Sequence, residues 1–250
     1  MILRMEERSM NAWPSLQTLL YDGWVIRFSG GYTRRANSIC PIYPSVLDIE
    51  EKINYCEELY NSKHLPVVYK LTNTCYPIDL DQVLEKKGYI KISETAIRIA
   101  QITDDPAYTG LRELKIEKEF SSEWISTLVA CSGMSNTERI EVMKRMLSNI
   151  AGHKICVRIN LKDEPIACGF GVIEDGYIGI YDIVVNPAYR GRGHGRAIMK
   201  SLLKEALNQS IDKAYLQVVV GNTIAEKLYD SLGFQEIYRY WYREKSFLKE

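Results

Sequence analysis

Apolar positions along the chain follow two rhythms, and their alternation predicts most of the secondary structure. In the first half, Trp24-Val-Ile-Arg-Phe28 and Ala36 to Tyr43 read as strands joined by a turn at Gly30-Gly31. Ile49, Ile53, Cys56 and Tyr60 recur at helical spacing, so residues 47–61 are expected to form an amphipathic helix. Pro66 to Leu71 reads as a strand. Leu80, Val83 and Leu84 mark a short helix ended by Gly88, and Tyr89 to Ile102 reads as one or two strands. A polar, turn-rich stretch from Thr103 to Gly110 interrupts the pattern. It predicts two domains, residues 1–105 and 106–250.

Behind that seam, residues 111–117 suggest a strand and 121–150 one or two helices. Ile155, Val157 and Ile159 alternate, which makes Lys154 to Asn160 a strand. Pro165 to Ile173 and Tyr177 to Val185 follow as strands around a tight turn at Glu174-Asp175-Gly176. A helix from about Gly195 to Leu207 carries Ile198, Leu202 and Ala206 in one stripe. Tyr215 to Val220 is a strand, Asn222 to Leu232 a helix closed by Gly233, and two strands, Phe234 to Tyr238 and Arg239 to Lys245, complete the order. The halves echo each other: Glu85 to Glu94 and Asp230 to Arg239 each join a helix end, a glycine, an aromatic and a strand.

Composition narrows the setting. Hydrophobic residues are 46% and charged residues 26%, ordinary for a globular protein with real cores. Lys+Arg and Asp+Glu are equal at 32 each, which gives no reason to expect a nucleic acid partner. No apolar window approaches the roughly 20 residues of a membrane helix, and the acidic start around Glu6 and Glu7 does not resemble a signal peptide. Six scattered cysteines without a C-x-x-C pair, and three histidines, predict buried reduced thiols in a cytoplasmic protein and no metal.

Against zero net charge, one segment stands out. Between Ile183 and Lys204 there is no Asp or Glu, yet Arg190, Arg192, Arg196, Lys200 and Lys204 fall there. The same stretch runs from a strand through Asn186-Pro187 into glycines 191, 193 and 195 and directly into a helix. Uncovered backbone amides and the positive end of the helix dipole make such a loop a phosphate cradle. A Walker A loop would need Gly-Lys-Ser/Thr at its end, and the dinucleotide fingerprint a glycine at 196, where arginine stands. Neither fits.

Arg190-Gly-Arg-Gly-His-Gly195 resembles the Arg/Gln-x-x-Gly-x-Gly/Ala motif of the GNAT superfamily of N-acetyltransferases. Val184 to Arg190 is similar to that family's strand and turn, and Asn222-Thr-Ile-Ala225 with Leu228-Tyr229 and Leu232-Gly-Phe234 to its second hallmark. The resemblance covers residues 111–250. It implies an α/β fold of two GNAT-like domains, each a central mixed β-sheet flanked by helices. It also implies acetyl-CoA as cosubstrate, with an amine on a small molecule, peptide or protein as acceptor, in a monomer or homodimer. By position, Arg190, Gly191, Arg192, Gly193, His194, Gly195 and Arg196 would hold the pyrophosphate. Ile183, Val184 and Val185 would pair with the pantetheine arm where the strand splays from its neighbour, and Asn222 would contact the cofactor.

The chemistry so implied is direct attack of the amine on the thioester. Tyr229 is the candidate donor to the departing thiolate, its other reading being a packing residue beside Ala225. Asp182 is the first candidate base. Strand alternation groups it with Ile178, Ile180 and Val184, whose apolar surroundings would raise its pKa; an amine-anchoring carboxylate is the alternative role. Glu174, at the hairpin turn, is the second candidate. His194 titrates near neutrality but lies on the cofactor side, and Tyr238, Tyr240 and Tyr242 alternate as sheet packing or as an acceptor pocket. The first half has the strand and helix order of a GNAT domain without a glycine loop. Pro41-Ile-Tyr-Pro44 stands where the loop would be, and Trp24 to Ser38 resembles the opening of bacterial tandem-GNAT proteins, which implies a degenerate N-terminal domain. A non-catalytic acyl-CoA sensor is the competing function.

Overall fold

The computed structural model describes residues 1–105 and 113–246. The chain divides into two compact units, Met1–Ala96 with Tyr238–Glu250, and Ile97–Ile237. The division cuts through two long strands, β5 (Ile90–Gln101) and β11 (Gln235–Lys245). The seam expected from the sequence, Thr103–Gly110, falls further along the chain, and its residues 106–110 lie outside the described residues.

The first unit opens with α1 (Ile2–Ala12), then β1 (Gln17–Tyr21), β2 (Trp24–Phe28), β3 (Ile39–Pro41), α2 (Ile49–Asn61), β4 (Val67–Thr72) and α3 (Leu80–Lys86). Its strands lie in the order β1-β2-β3-β4-β11, with β3 parallel to β4 and the other pairs antiparallel. The apolar face of α2 lands as its spacing predicts: Ile53, Cys56 and Tyr60 are fully buried, in one core with Trp24, Ile26, Tyr69 and Leu71. Ala36 to Tyr43 is mostly not strand; Arg34–Ala36 is a 3-10 turn and only Ile39–Pro41 pairs. The two expected C-terminal strands are one continuous β11.

Two elements escaped the apolar pattern. The buried face of α1 holds Glu6, Arg8 and Ser9 beside Met5 and Ala12, so its periodicity is not apolar. Strand β1 is an edge strand, largely exposed, and shows no alternation. Its one sequence mark is Asp22-Gly23, both left-handed at φ 40° and 80°, which closes the β1–β2 hairpin as a two-residue turn.

What anchors α1 is a buried ion pair. Glu6 accepts from Lys70 Nζ at 2.6 Å and from the Tyr238 hydroxyl at 2.8 Å, with both charged side chains under 5% exposed. The Lys70 ammonium also sits 4.0 Å from the centre of the Tyr240 ring. Burial alone would push the Lys70 pKa down, but the Glu6 carboxylate outweighs it and holds the group above its ordinary value. Of the alternating tyrosines, Tyr238, Tyr240 and Tyr242 are thus all buried in this unit.

The second unit contains β6 (Leu114–Glu117), α4 (Ser122–Ser132), α5 (Thr137–Ser148), β7 (His153–Leu161), β8 (Glu164–Glu174), β9 (Tyr177–Val185), α6 (His194–Asn208), β10 (Lys213–Val219) and α7 (Thr223–Asp230). Strand order is β5-β10-β9-β8-β7-β6, with β9 parallel to β10 and an antiparallel run from β9 to β6. Helices cover both faces. Trp124 of α4 meets Phe170, which stacks on Tyr181, while Ile198 of α6 lies over Gly169 on the opposite face. The α6 stripe Ile198, Leu202 and Ala206 is fully buried. All six cysteines are free and buried. Among the described residues no helix is long and apolar enough to cross a membrane.

Removing one member of the Glu6–Lys70 pair strands a buried charge, so Lys70→Met is expected to cost about 3–5 kcal/mol of stability in urea unfolding. The double change Glu6→Leu, Lys70→Met should recover most of that loss. Because the folded-state pKa of Lys70 is raised, its contribution persists below the unfolded lysine pKa and is lost only as pH rises through the folded value.

Candidate active site

Strand β9 is held on both sides over its first half only. Its pairing with β10 runs from Tyr177↔Lys213 to Ile180↔Leu216 and stops there. Pairing with β8 continues to Val185↔Ala167, but with a register shift: Tyr181 faces Phe170 and Val184 faces Cys168, so Asp182 and Ile183 together oppose Gly169. This is a β-bulge, with Asp182 in the left-handed region at φ 46°. The extra residue bends β9 away from β10 and leaves the Ile183–Val185 segment without a second strand partner among the described residues.

Gly169 makes room for the bulge. A Cβ there would come within 2.4 Å of the Ile183 side chain and 2.8 Å of Ile198, so a larger residue would force those side chains to shift. It also corrects the alternation reading of Asp182. Ile183 has taken the face toward α6, and Val185 lies beside it over the first turn of that helix. The grouping of Asp182 with Ile178, Ile180 and Val184 therefore fails at the bulge, because one inserted residue reverses the faces beyond it. Asp182 stays half-buried where β9 parts from β10. Glu174 pairs with Tyr177 at the other end of β9, five residues from Asp182, or about 17 Å along a strand. The structure does not bring those two carboxylates together.

The loop after β9 is set by Asn186, whose side chain accepts from Ala188 N and donates to Pro165 O, both at 3.1 Å. Gly191 and Gly193 are left-handed at φ 77° and 83°, and nothing lies within 4 Å of where their side chains would be. Gly193 is the N-cap of α6 and supplies no capping side chain. The first-turn amides of His194, Gly195 and Arg196 have no intrahelical acceptor, and no acidic residue stands in that turn. The Nδ1 atom of His194 is buried without a hydrogen-bond partner among the described residues. Gly195 is different: a Cβ there would make ordinary contacts, 3.7 Å from Val185 and Leu228. Open amides, an uncapped positive helix end and a buried imidazole nitrogen lacking a partner fit a diphosphate.

The basic residues divide. Arg190 Nε donates to Val185 O at 3.3 Å and the Arg192 guanidinium lies 5.1 Å from the Tyr189 ring centre, both within the loop. Arg196 donates to Ser231 Oγ at 2.6 Å, and Lys200 pairs with Asp105 at 2.7 Å. The acid-free run in sequence is thus partly neutralised in space. Arg196, Lys200, Lys204 and the Ser231–Gly233 turn border a groove of about 580 Å³ along α6. Sequence reasoning missed Asp105, Ser231 and Gly169; only Gly169 carried a signal, as a glycine inside a strand pattern.

Helix α7 lies against this end of α6, with Leu228 beside Gly195. Asn222 is its N-cap, accepting from Ala225 N at 3.3 Å. Tyr229 is half-buried with its ring 6.1 Å from Phe234, and its hydroxyl has no hydrogen-bond partner among the described residues. Burial pushes the phenol pKa above its ordinary value, so it is protonated throughout the neutral range.

The two kinds of glycine separate by mutation. A side chain at Gly193 forces a left-handed backbone costing about 1–3 kcal/mol, so Gly193→Val should weaken coenzyme A binding by roughly 10-fold or more. Gly195→Ala should leave it within about threefold, since a methyl group fits. Isothermal titration of both variants with coenzyme A checks the contrast.

Residues 1–243 match the family described as probable histone acetyltransferase Rv0428c C-terminal. The uncharacterised N-acetyltransferase YobR of Bacillus subtilis is 30% identical over 252 residues, covering 98% of each chain. A GCN5-related N-acetyltransferase structure from Kribbella flavida superposes with a TM-score of 0.70 at 14% identity, over 97% of this chain and 95% of its own. A tandem GNAT protein from the clavulanic acid biosynthesis pathway gives 0.61 at 10% identity, over 80% and 70%. These two share the fold. A match that runs through both units, and not the glycine loop alone, makes the chain a member of the Rv0428c C-terminal family and, with it, of the GNAT N-acetyltransferases.

Proposed function

We propose that the second unit transfers an acetyl group from acetyl-CoA to an amine by direct attack, and that the first unit is a degenerate GNAT domain. The observation that carries the reading is the gap opened by the bulge at Asp182, which leads straight into the uncapped end of α6. In it the amides of residues 191–196 hold the diphosphate, with Arg190 and Arg192 alongside. The Ile183–Val185 backbone, freed from β10, pairs with the pantetheine arm. Asn222 borders the cofactor from α7.

An alkylamine with a pKa of about 10.4 is neutral in only about one molecule in a few thousand at pH 7, so the acceptor needs a proton taken away. Asp182 is the carboxylate where the gap begins, and it either takes that proton as a base or anchors the amine. A backbone amide near Val184 or Val185 stabilises the oxyanion as the amine adds to the thioester carbonyl. Tyr229 hydrogen-bonds the leaving sulfur. Proton transfer from a phenol of pKa about 10 to a thiolate of about 8.5 is already uphill by roughly 2 kcal/mol, and burial of Tyr229 steepens it. Its contribution is therefore mainly hydrogen bonding. An unpartnered phenol beside a cofactor loop favours an enzyme over an acyl-CoA sensor, since binding alone needs no donor.

Incubation with acetyl-CoA and a panel of amines, read by thiol release, should show turnover for at least one amine class. Tight acetyl-CoA binding with no release across the panel would overturn the transferase reading. Tyr229→Phe should slow turnover by about 10- to 100-fold while coenzyme A affinity changes less than about threefold. The wild-type rate should show no decline from phenol ionisation below about pH 10, because the shift is upward.

A further inference from the structure

The first unit repeats the site's topology with a different occupant. Strand β3 runs parallel to β4 with α2 between them, as β9 runs parallel to β10 with α6 between. The segment between β3 and α2 therefore holds the place that the glycine loop holds in the second unit. Its amides are turned inward to a common acceptor. Val46 N donates to both carboxylate oxygens of Asp22, at 3.1 and 3.0 Å, and Leu47 N donates to Oδ2 at 2.9 Å. The Lys52 ammonium, from the first turn of α2, reaches the same Oδ2 at 3.1 Å and the Asp22 carbonyl at 2.5 Å. The next amides, Glu50 N and Glu51 N, are taken by Asp48.

The arrangement is built in, because the β1–β2 turn is pressed against the segment. A Cβ on Gly23 would meet Pro44 O at 2.3 Å and Tyr43 O at 2.6 Å, and Tyr43 N donates to Gly23 O at 3.1 Å. Two amides and an ammonium converging on one carboxylate before a helix are the donors that would bind a phosphate. We propose that Asp22 is an internal anion that closes the phosphate cradle of the first unit, so that acyl-CoA binding is confined to one loop per chain. This rests on the reading of residues 190–196 as the working cradle.

Removing the carboxylate should uncover the donors. Asp22 is left-handed at φ 40°, so glycine keeps the turn. In thermal melts of the full chain, inorganic phosphate replacing chloride at equal ionic strength should raise the midpoint of Asp22→Gly by at least about 3 °C more than that of wild type. Any effect of phosphate on the second unit is common to both proteins and cancels. Should Asp22→Gly fail to fold, Asp22→Asn keeps an acceptor without the charge and should show the same excess in smaller measure. No excess in either variant overturns the proposal. Calorimetry with coenzyme A on the wild-type chain should count one site. Two sites would also overturn it, whereas none would sink the proposed function and leave the phosphate comparison to decide the role of Asp22.

Discussion

A strand cannot be hydrogen-bonded on both edges and also offer its backbone to a ligand. The second unit resolves this with one inserted residue. At Asp182 and Ile183 the chain takes two steps against a single Gly169, β9 bends from β10, and the backbone up to Val185 comes free on one side while β8 keeps it in place on the other. The glycine loop and the uncapped start of α6 then receive the chain at the end of that gap. Local features reinforce the bend: Gly169 gives Ile183 room, Asn186 ties the turn to Pro165, and Leu228 braces the first turn of α6.

The two units handle the same electrostatic problem in opposite ways. Helix N-termini carry unsatisfied amides and partial positive charge, and a protein must supply something negative or leave them to water. At α2 the chain supplies two of its own carboxylates, Asp48 as cap and Asp22 from a neighbouring hairpin. At α6 it supplies none, and glycine stands at the cap. Charge placement elsewhere follows similar economy. The Glu6–Lys70 pair is buried with Tyr238 and Tyr240 around it, which makes α1 dependent on contacts far along the chain.

How much of this could be read beforehand varied with the origin of each signal. Helix α2 and helix α6 were legible because their buried faces are apolar at helical spacing. Helix α1 was not, because Glu6, Arg8 and Ser9 share its buried face, and Glu6 is held there by Lys70 and Tyr238, both far along the chain. The hairpin turn at Asp22-Gly23 carries a turn dipeptide that the apolar pattern does not flag, because β1 ahead of it is an exposed edge strand without alternation. The basic run after Ile183 was also visible, but Asp105, distant in sequence, meets Lys200 and dilutes it.

By itself, the sequence determined the glycine loop, the order of its flanking strand and helices, and membership of the fold class, because these rest on local spacing of glycine, charge and apolar residues. It also placed Tyr229 and Asn222 on the helix after β10. Only the tertiary structure decided where β9 leaves β10, which face Asp182 takes, and that Glu174 sits at the far end of the strand. Those depend on register, and one bulged residue reverses every face beyond it without changing the local pattern. The contact of Asp22 with Val46 N and Leu47 N was likewise decided in three dimensions, since it joins a hairpin turn to amides more than twenty residues away.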